Sequence, residues 1–189
     1  MDAGGGISFQ VISADQTIAL RHSVLWPNAP VSQVLLPEDN AGIHVGAFIT
    51  GAGIEVPIAV ISLFLEPLPI DNANDGDDME ERNRPTSGFF SVAEPDTDSE
   101  CRAEGATIPL PSVRFRKFAC NPLFQGQGVG SGLLEYAIET VAKKRLRGTV
   151  IWCDARVATE GWYRRRGLAP FGKRFYKSDV EYVRMKRDL

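Results

Sequence analysis

The segment Gln125-Gly126-Gln127-Gly128-Val129-Gly130-Ser131-Gly132 constrains this chain more than any other. It follows an alternating, strand-like run from Val113 to Cys120. It precedes a run in which Leu133, Leu134, Ala137, Ile138, Val141 and Ala142 recur at helical spacing. A strand, a glycine loop and a helix in that order turn several backbone N–H groups toward one point at the positive end of the helix. That is an anion site suited to a phosphate or pyrophosphate. Glycine serves there because a Cβ would block both positive φ angles and close approach of the anion. A tight turn that needs glycine only for its backbone shape remains the competing reading. Two well-known phosphate loops are excluded. Walker A requires Gly-Lys-Ser/Thr, and Gly130 is followed by Ser131-Gly132. The Rossmann spacing places its third glycine on Ser131 or on Leu133.

The flanking sequence predicts an α/β domain with a mixed sheet. Ile7 to Val11 alternates as a first strand. Ser13 starts a helix, with Gln16 at capping-box spacing, and Trp26-Pro27 ends it. His44 to Ile49 and the apolar run Val56 to Leu65 are strands, Pro57 near the start of the second. In Val113 to Cys120, simple alternation places Val113, Phe115 and Lys117 on one side and Arg114, Arg116 and Phe118 on the other. The helix after the glycine loop runs to Arg147, and Gly148 fits its C-cap. Thr149 to Asp154 is a strand, Thr159 to Arg166 a short helix closed by Gly167. Phe171 to Tyr176 and Val180 to Lys186 complete the sheet.

Charge separates the chain into blocks. Residues 1–65 carry one basic and five acidic side chains, residues 66–112 three and twelve, and residues 113–189 seventeen and seven. The acidic middle, with Asp71-Asn72-Ala73-Asn74-Asp75-Gly76-Asp77-Asp78, has little to bury. It reads as a flexible insertion over about 67–111 within a single domain spanning 1–189, with only Phe89 to Val92 able to pair as a short strand. The basic C-terminal block fits solvated helix faces, a polyphosphate ligand or nucleic acid. Three cysteines without CxxC pairing and two histidines argue against a structural metal, so no metal ligand is assigned. An odd cysteine count suits a reducing compartment, and the N-terminus shows no secretory pattern. No apolar run reaches the roughly 20 residues that cross a bilayer. A cytoplasmic protein without a membrane segment is expected.

Gln125-Gly126-Gln127-Gly128-Val129-Gly130 matches Gln/Arg-x-x-Gly-x-Gly/Ala, and here the chain resembles the GCN5-related N-acetyltransferase (GNAT) superfamily. Arg114 to Cys120 looks like the strand before that loop. Trp152-Cys153-Asp154-Ala155-Arg156 and Gly161-Trp162-Tyr163-Arg164-Arg165-Arg166-Gly167-Leu168 are similar to the family's later strand and its Tyr-x-x-x-Gly-Phe helix. Leu20 to Pro27 and Leu36 to His44 look like one branch of the family, and the likeness spans most of the chain outside 66–112. The resemblance implies a GNAT-like, mostly antiparallel mixed sheet flanked by helices, with acetyl-CoA as donor and a primary amine as acceptor, attacking directly in a ternary complex. It further implies that the backbone of Phe118, Ala119 and Cys120 pairs with the pantetheine arm. The N–H groups of Gln125, Gly126, Gln127, Gly128, Val129, Gly130 and Ser131 would hold the pyrophosphate, with Arg156 near the cofactor. Tyr163 matches the family's frequent general acid. Tyr182 stands where this branch often shows histidine, and Leu168 where the family shows phenylalanine.

The base is weakly specified. Asp154, Glu181 and His44 are the candidates, and Asp154 is taken with Tyr163 as the expected catalytic pair. Cys120 and Cys153 read as buried apolar residues, not nucleophiles. The expected partner is a small-molecule or peptide amine, and a homodimer is the assembly left open. A non-catalytic module binding acyl-CoA or nucleic acid on the same fold is the alternative. Its nucleic-acid form lacks an aromatic–basic stacking platform, a helix-turn-helix and a zinc signature.

Overall fold

The computed structural model describes residues 6–51, 56–69 and 111–189. The expectations for the acidic insertion, its flexibility and the Phe89–Val92 strand among them, lie outside the described residues. The segments before and after it form one compact unit. Its elements are β1 (Ile7–Ile12), α1 (Asp15–Leu25), β2 (Ile43–Ile49), β3 (Ala59–Leu65), β4 (Ser112–Cys120), α2 (Val129–Tyr136), β5 (Val150–Arg156), α3 (Glu160–Arg164), β6 (Ala169–Lys177) and β7 (Val180–Asp188). The order is the one the sequence predicts. The seven strands form one sheet in the order β1-β2-β3-β4-β5-β7-β6. Every neighbouring pair is antiparallel except β4 with β5.

Each face of the sheet carries a helix. Leu133, Leu134, Ala137, Ile138, Val141 and Ala142 are at most 1% exposed and pack on Val45, Ile61, Leu63, Val113, Phe115, Ile151 and Met185. Burying each large side chain contributes about 1.5–3 kcal/mol, so this face dominates stability. The opposite face holds α1, with Leu20 packed against Ile12, Phe48, Val60 and Ala119. At the start of α1 only half of the predicted capping box forms. Gln16 Oε1 accepts from the Ser13 N–H at 3.0 Å, whereas Ser13 Oγ turns to Gln16 Oε1.

Two local features depart from the sequence expectation. After Tyr136 the helix widens into wider turns over Ala137–Arg145, and Leu146 N–H donates to Val141 O at 2.8 Å. Its end uses Arg147 at φ 52° as the left-handed residue, not Gly148. Gly148 N–H closes the cap on Ala142 O at 2.9 Å. Gly148 is required by packing instead, since a Cβ there would lie 2.6 Å from Val113 Cγ2.

The second departure lies in β4. Ser62 pairs with Arg116 but Val60 pairs with Ala119, so β4 carries one extra residue opposite β3. Lys117, at φ 55°, is at this bulge. A bulge resets the alternation of side chains beyond it. Phe118 therefore joins Val113 and Phe115 on the α2 face, where its ring meets Phe115 at 6.5 Å. Lys117 swings out and lays its ammonium over the Trp26 ring at 4.4 Å. The simple alternation that put Phe118 beside Arg114 and Arg116 is corrected by this one residue. Burial drives the Lys117 ammonium down to about 8, with Arg116 adding to it.

Candidate active site

The two parallel strands at the centre of the sheet part company. β4 and β5 pair only from Ser112–Val150 to Arg114–Trp152. Beyond that point Phe115 to Cys120 and Cys153 to Arg156 run without pairing to each other. Phe118, Ala119 and Cys120, expected to pair with the donor's arm, all lie on this open stretch of β4. An extended ligand can pair with such an edge as an extra strand would.

At the end of β4 the chain turns into the glycine loop. Asn121 Oδ1 accepts from Leu123 N–H at 3.0 Å. Gln125 Nε2 donates to Cys120 O at 3.0 Å and Gln127 Nε2 to Leu123 O at 2.8 Å, so both glutamine side chains brace the loop from within. Gly126 and Gly128 have φ of 75° and 84°. An added Cβ at either would meet no atom within 4 Å, so the loop is open on its outer side. The first intrahelical bond of α2 runs from Gly132 N–H to Gly128 O at 2.9 Å. The N–H groups of Val129, Gly130 and Ser131 precede it and lack intrahelical partners.

The four glycines thus have different causes. Backbone shape requires Gly126 and Gly128. Packing requires Gly132, where a Cβ would approach Phe9 Cζ to 2.6 Å. Gly130 answers to neither, because its φ is ordinary and a Cβ would make normal contacts with Phe118 at 3.5 Å and Trp162 at 3.8 Å. What glycine leaves at Gly130 is space beside the helix start.

Arg166 closes this end of the site, and the sequence reading did not single it out. Its Nε donates to Ser131 Oγ at 3.0 Å, and Nη1 donates to Trp162 O at 2.7 Å. The guanidinium lies 3.6 Å from the Trp162 ring centroid. A fixed cation therefore stands at the amino end of α2, adding to the positive end of the helix. The loop shape, the unbonded amides and this cation fit a polyphosphate. Arg156 is exposed at the end of β5.

Tyr163 sits on the α2 face of the sheet, where the strands part. Its ring lies 5.9 Å from Phe115 on β4 and 4.9 Å from Trp162. Burial pushes its phenol well above the usual range, and neighbouring Cys153 on β5 adds to the rise. Tyr163 is thus a proton donor that stays protonated across the physiological range. Burial likewise raises both Cys120 and Cys153, which leaves them as thiols.

Asp154 points to the other face. Cys153 and Ala155 pack in the α2-side core, and Asp154 between them pairs with Arg114 and with Lys177 Nζ at 2.8 Å. Burial favours its neutral form, but Arg114 and Lys177 together outweigh that and lower its pKa. The parting of β4 and β5 lies between the faces that carry Tyr163 and Asp154. Glu181 is held by Arg174 at 3.7 Å.

His44 has a different part. It is buried, and its Nε2 faces Asp39 O at 3.0 Å, which can only accept. Nε2 therefore carries the proton, and Nδ1 accepts from Ser62 Oγ at 2.8 Å. Arg21, fully buried, donates to Ser62 Oγ at 2.6 Å and to both Asp39 oxygens at 2.7 and 3.0 Å. Every polar partner of His44 is internal, so it ties α1 and the Pro37–Ala41 turn to the sheet. Glu66 is a second missed residue. The sequence reading places it at the edge of the acidic stretch, yet it pairs with Arg114 and Arg116, and its carbonyl accepts from Trp152 Nε1 at 3.3 Å.

Among the described residues no cluster of His, Cys, Asp or Glu could hold a metal ion, and no helix is long and apolar enough to cross a membrane.

A family model described as an acetyltransferase (GNAT) domain matches residues 103–189, which include the parted strands, the glycine loop and Tyr163. The chain is 23% identical over 171 residues to the uncharacterized N-acetyltransferase YitI of Bacillus subtilis, covering 89% of this chain and 87% of that one. Its fold is similar to that of Escherichia coli ElaA, with a TM-score of 0.60 at 14% identity over 97% of this chain and 100% of the other. It is also similar to Arabidopsis thaliana NAA60 in complex with acetyl-CoA, with a TM-score of 0.61 at 10% identity over 97% and 99%. The glycine loop between β4 and α2 and the opening of β4 from β5 both lie within residues 103–189, the part of the chain that matches the acetyltransferase (GNAT) domain model.

Proposed function

We propose that the protein transfers an acetyl group from acetyl-CoA to a primary amine by direct attack, with no acyl-enzyme. The observation that carries this reading is the position of the buried Tyr163, beside Phe115 at the point where β4 leaves β5. Acetyl-CoA supplies an activated acetyl thioester. The N–H groups from Gly126 to Ser131 and the Arg166 guanidinium hold its phosphates. The unpaired backbone of Phe118, Ala119 and Cys120 orients its extended arm, and Arg156 lies at the rim. Tyr163 Oη gives its proton to the sulfur as the thioester bond breaks. A donor of this kind acts where charge develops, so it raises kcat more than affinity.

Burial raises both thiols in the site and keeps them protonated, which supports direct transfer over a cysteine intermediate. Asp154 is the carboxylate we assign to the acceptor side. Its two cations weaken it as a base, so it serves first to attract and hold the amine, and the proton leaves through water. The test is release of free thiol from acetyl-CoA over a panel of primary amines. Amine-dependent thiol release with an N-acetylated product supports the reading, and acetyl-CoA binding without turnover defeats it.

A further inference from the structure

On the α1 face, beyond the last β4–β5 pair, three strands bring an unusual group of side chains together. Phe175 on β6 and Tyr182 on β7 are cross-strand partners and stack at 5.9 Å with an interplanar angle of 22°. The Lys177 ammonium lies 5.0 Å from the Tyr182 ring centroid, 5.5 Å from that of Phe175, and 2.8 Å from Asp154 Oδ2. We propose that Asp154, Phe175 and Tyr182 form a seat for the primary ammonium group of the acyl acceptor, which Lys177 fills as a tethered stand-in. This names the substrate class of the acyl-transfer site and rests on that reading.

Three observations separate the seat from an ordinary surface ion pair. Asp154 is also paired with Arg114, so it keeps one counter-ion when Lys177 leaves. Its side chain is 11% exposed, whereas that of Lys177 is 50% exposed, so the carboxylate is fixed and its second cation is free to leave. The ammonium lies over the Tyr182 ring and shares the Phe175 ring with the Arg184 guanidinium, 5.0 Å from that centroid, and such ring faces favour a cation over a neutral group of equal size. Lys177 is the last residue of β6, next to the Ser178-Asp179 turn, so its side chain can swing away without disturbing the sheet. An acceptor with a few further contacts can displace it. The same cations that make Asp154 a weak base make it a steady counter-ion for the ammonium form.

The experiment is a titration of the whole chain with n-butylammonium, with n-butanol as the neutral comparator, in the absence of acetyl-CoA. Binding is followed by the ring NMR resonances of Tyr182 and Phe175. Lys177→Met removes the tethered ammonium and keeps the stem, while Arg114 stays on Asp154 and Arg184 over Phe175. It should bind n-butylammonium at least about fivefold more tightly than the parent, with no such gain for n-butanol. Adding Asp154→Asn should remove the preference. Should that variant fail to fold because Arg114 loses its partner, Tyr182→Leu in the Lys177→Met background tests the ring, with a weakening of about threefold or more. Equal binding by parent and Lys177→Met, or equal response to n-butanol, overturns the proposal. Ammonium binding here without transfer from acetyl-CoA to n-butylamine would leave the seat standing and sink the acyl-transfer reading. Transfer without any cation preference would do the reverse.

Discussion

Gly130 separates a ligand's demand from the fold's demand. Its φ is ordinary, and a Cβ would meet Phe118 and Trp162 at 3.5 and 3.8 Å, which are normal contacts. Gly130→Ala should therefore fold, and it should gain up to about 1 kcal/mol from helix propensity. For a domain of this size that raises Tm by roughly 2–4 °C. If the space serves a pyrophosphate, the same methyl weakens acetyl-CoA binding by about threefold or more. Gly130→Glu adds a charge. A carboxylate about 6 Å from a phosphate charge costs about 0.7 kcal/mol at the dielectric of water and about 3 kcal/mol at an effective value near 20. Two phosphate charges at the weaker figure give about 1.4 kcal/mol, so affinity should fall at least tenfold. The assay is calorimetric titration with acetyl-CoA beside a thermal melt of each variant. Unchanged affinity in a folded Gly130→Glu protein would refute the reasoning, since no other role for Gly130 predicts a loss.

Tyr163→Phe keeps the ring contacts with Phe115 and Trp162. It should lower kcat by about 10²-fold with little change in acetyl-CoA dissociation constant; turnover within about twofold of the parent would make Tyr163 a packing residue. Because burial raises the Tyr163 phenol above its usual range, kcat should show no Tyr163-dependent fall as pH rises to about 10. A falling limb at pH 8–9 that Tyr163→Phe abolishes would contradict this. The lowered Lys117 pKa means the unfolded chain binds more protons between about pH 8 and the usual lysine value. Through Lys117, stability should therefore rise with pH across that window, and Lys117→Met should flatten this part of the pH–stability curve. Asp39→Ala strips the buried Arg21 of its partner and should cost about 3–5 kcal/mol in a denaturant melt; a loss under 1 kcal/mol would show the cluster to be dispensable.

Much of this was legible in the sequence because it rests on period and glycine. The order of elements follows from alternation and helical spacing, and the turn that closes α3 is marked by Gly167, whose φ is 80°. Three things were hidden for physical reasons. One extra residue at Lys117 leaves no composition signal, yet it moves Phe118 to the face that carries Tyr163 and Trp162. Arg166 looked like one of many C-terminal basic residues, and only the packing of α3 beside α2 brings it to Ser131. Asp154 and Tyr163 were read as a pair from the same stretch of sequence, whereas strand alternation sends Asp154 to the α1 face. Glu66 was legible in principle, because its partners Arg114 and Arg116 are two of the three cations in β4.

The most direct test of the account is acetyl transfer itself. Free thiol should be released from acetyl-CoA in proportion to added primary amine, with the matching N-acetylated amine recovered. The signal should fall about 10²-fold in Tyr163→Phe while acetyl-CoA still binds. Tight acetyl-CoA binding with no amine-dependent thiol release across small amines and peptide amines would contradict the account and leave a protein that holds the donor without using it.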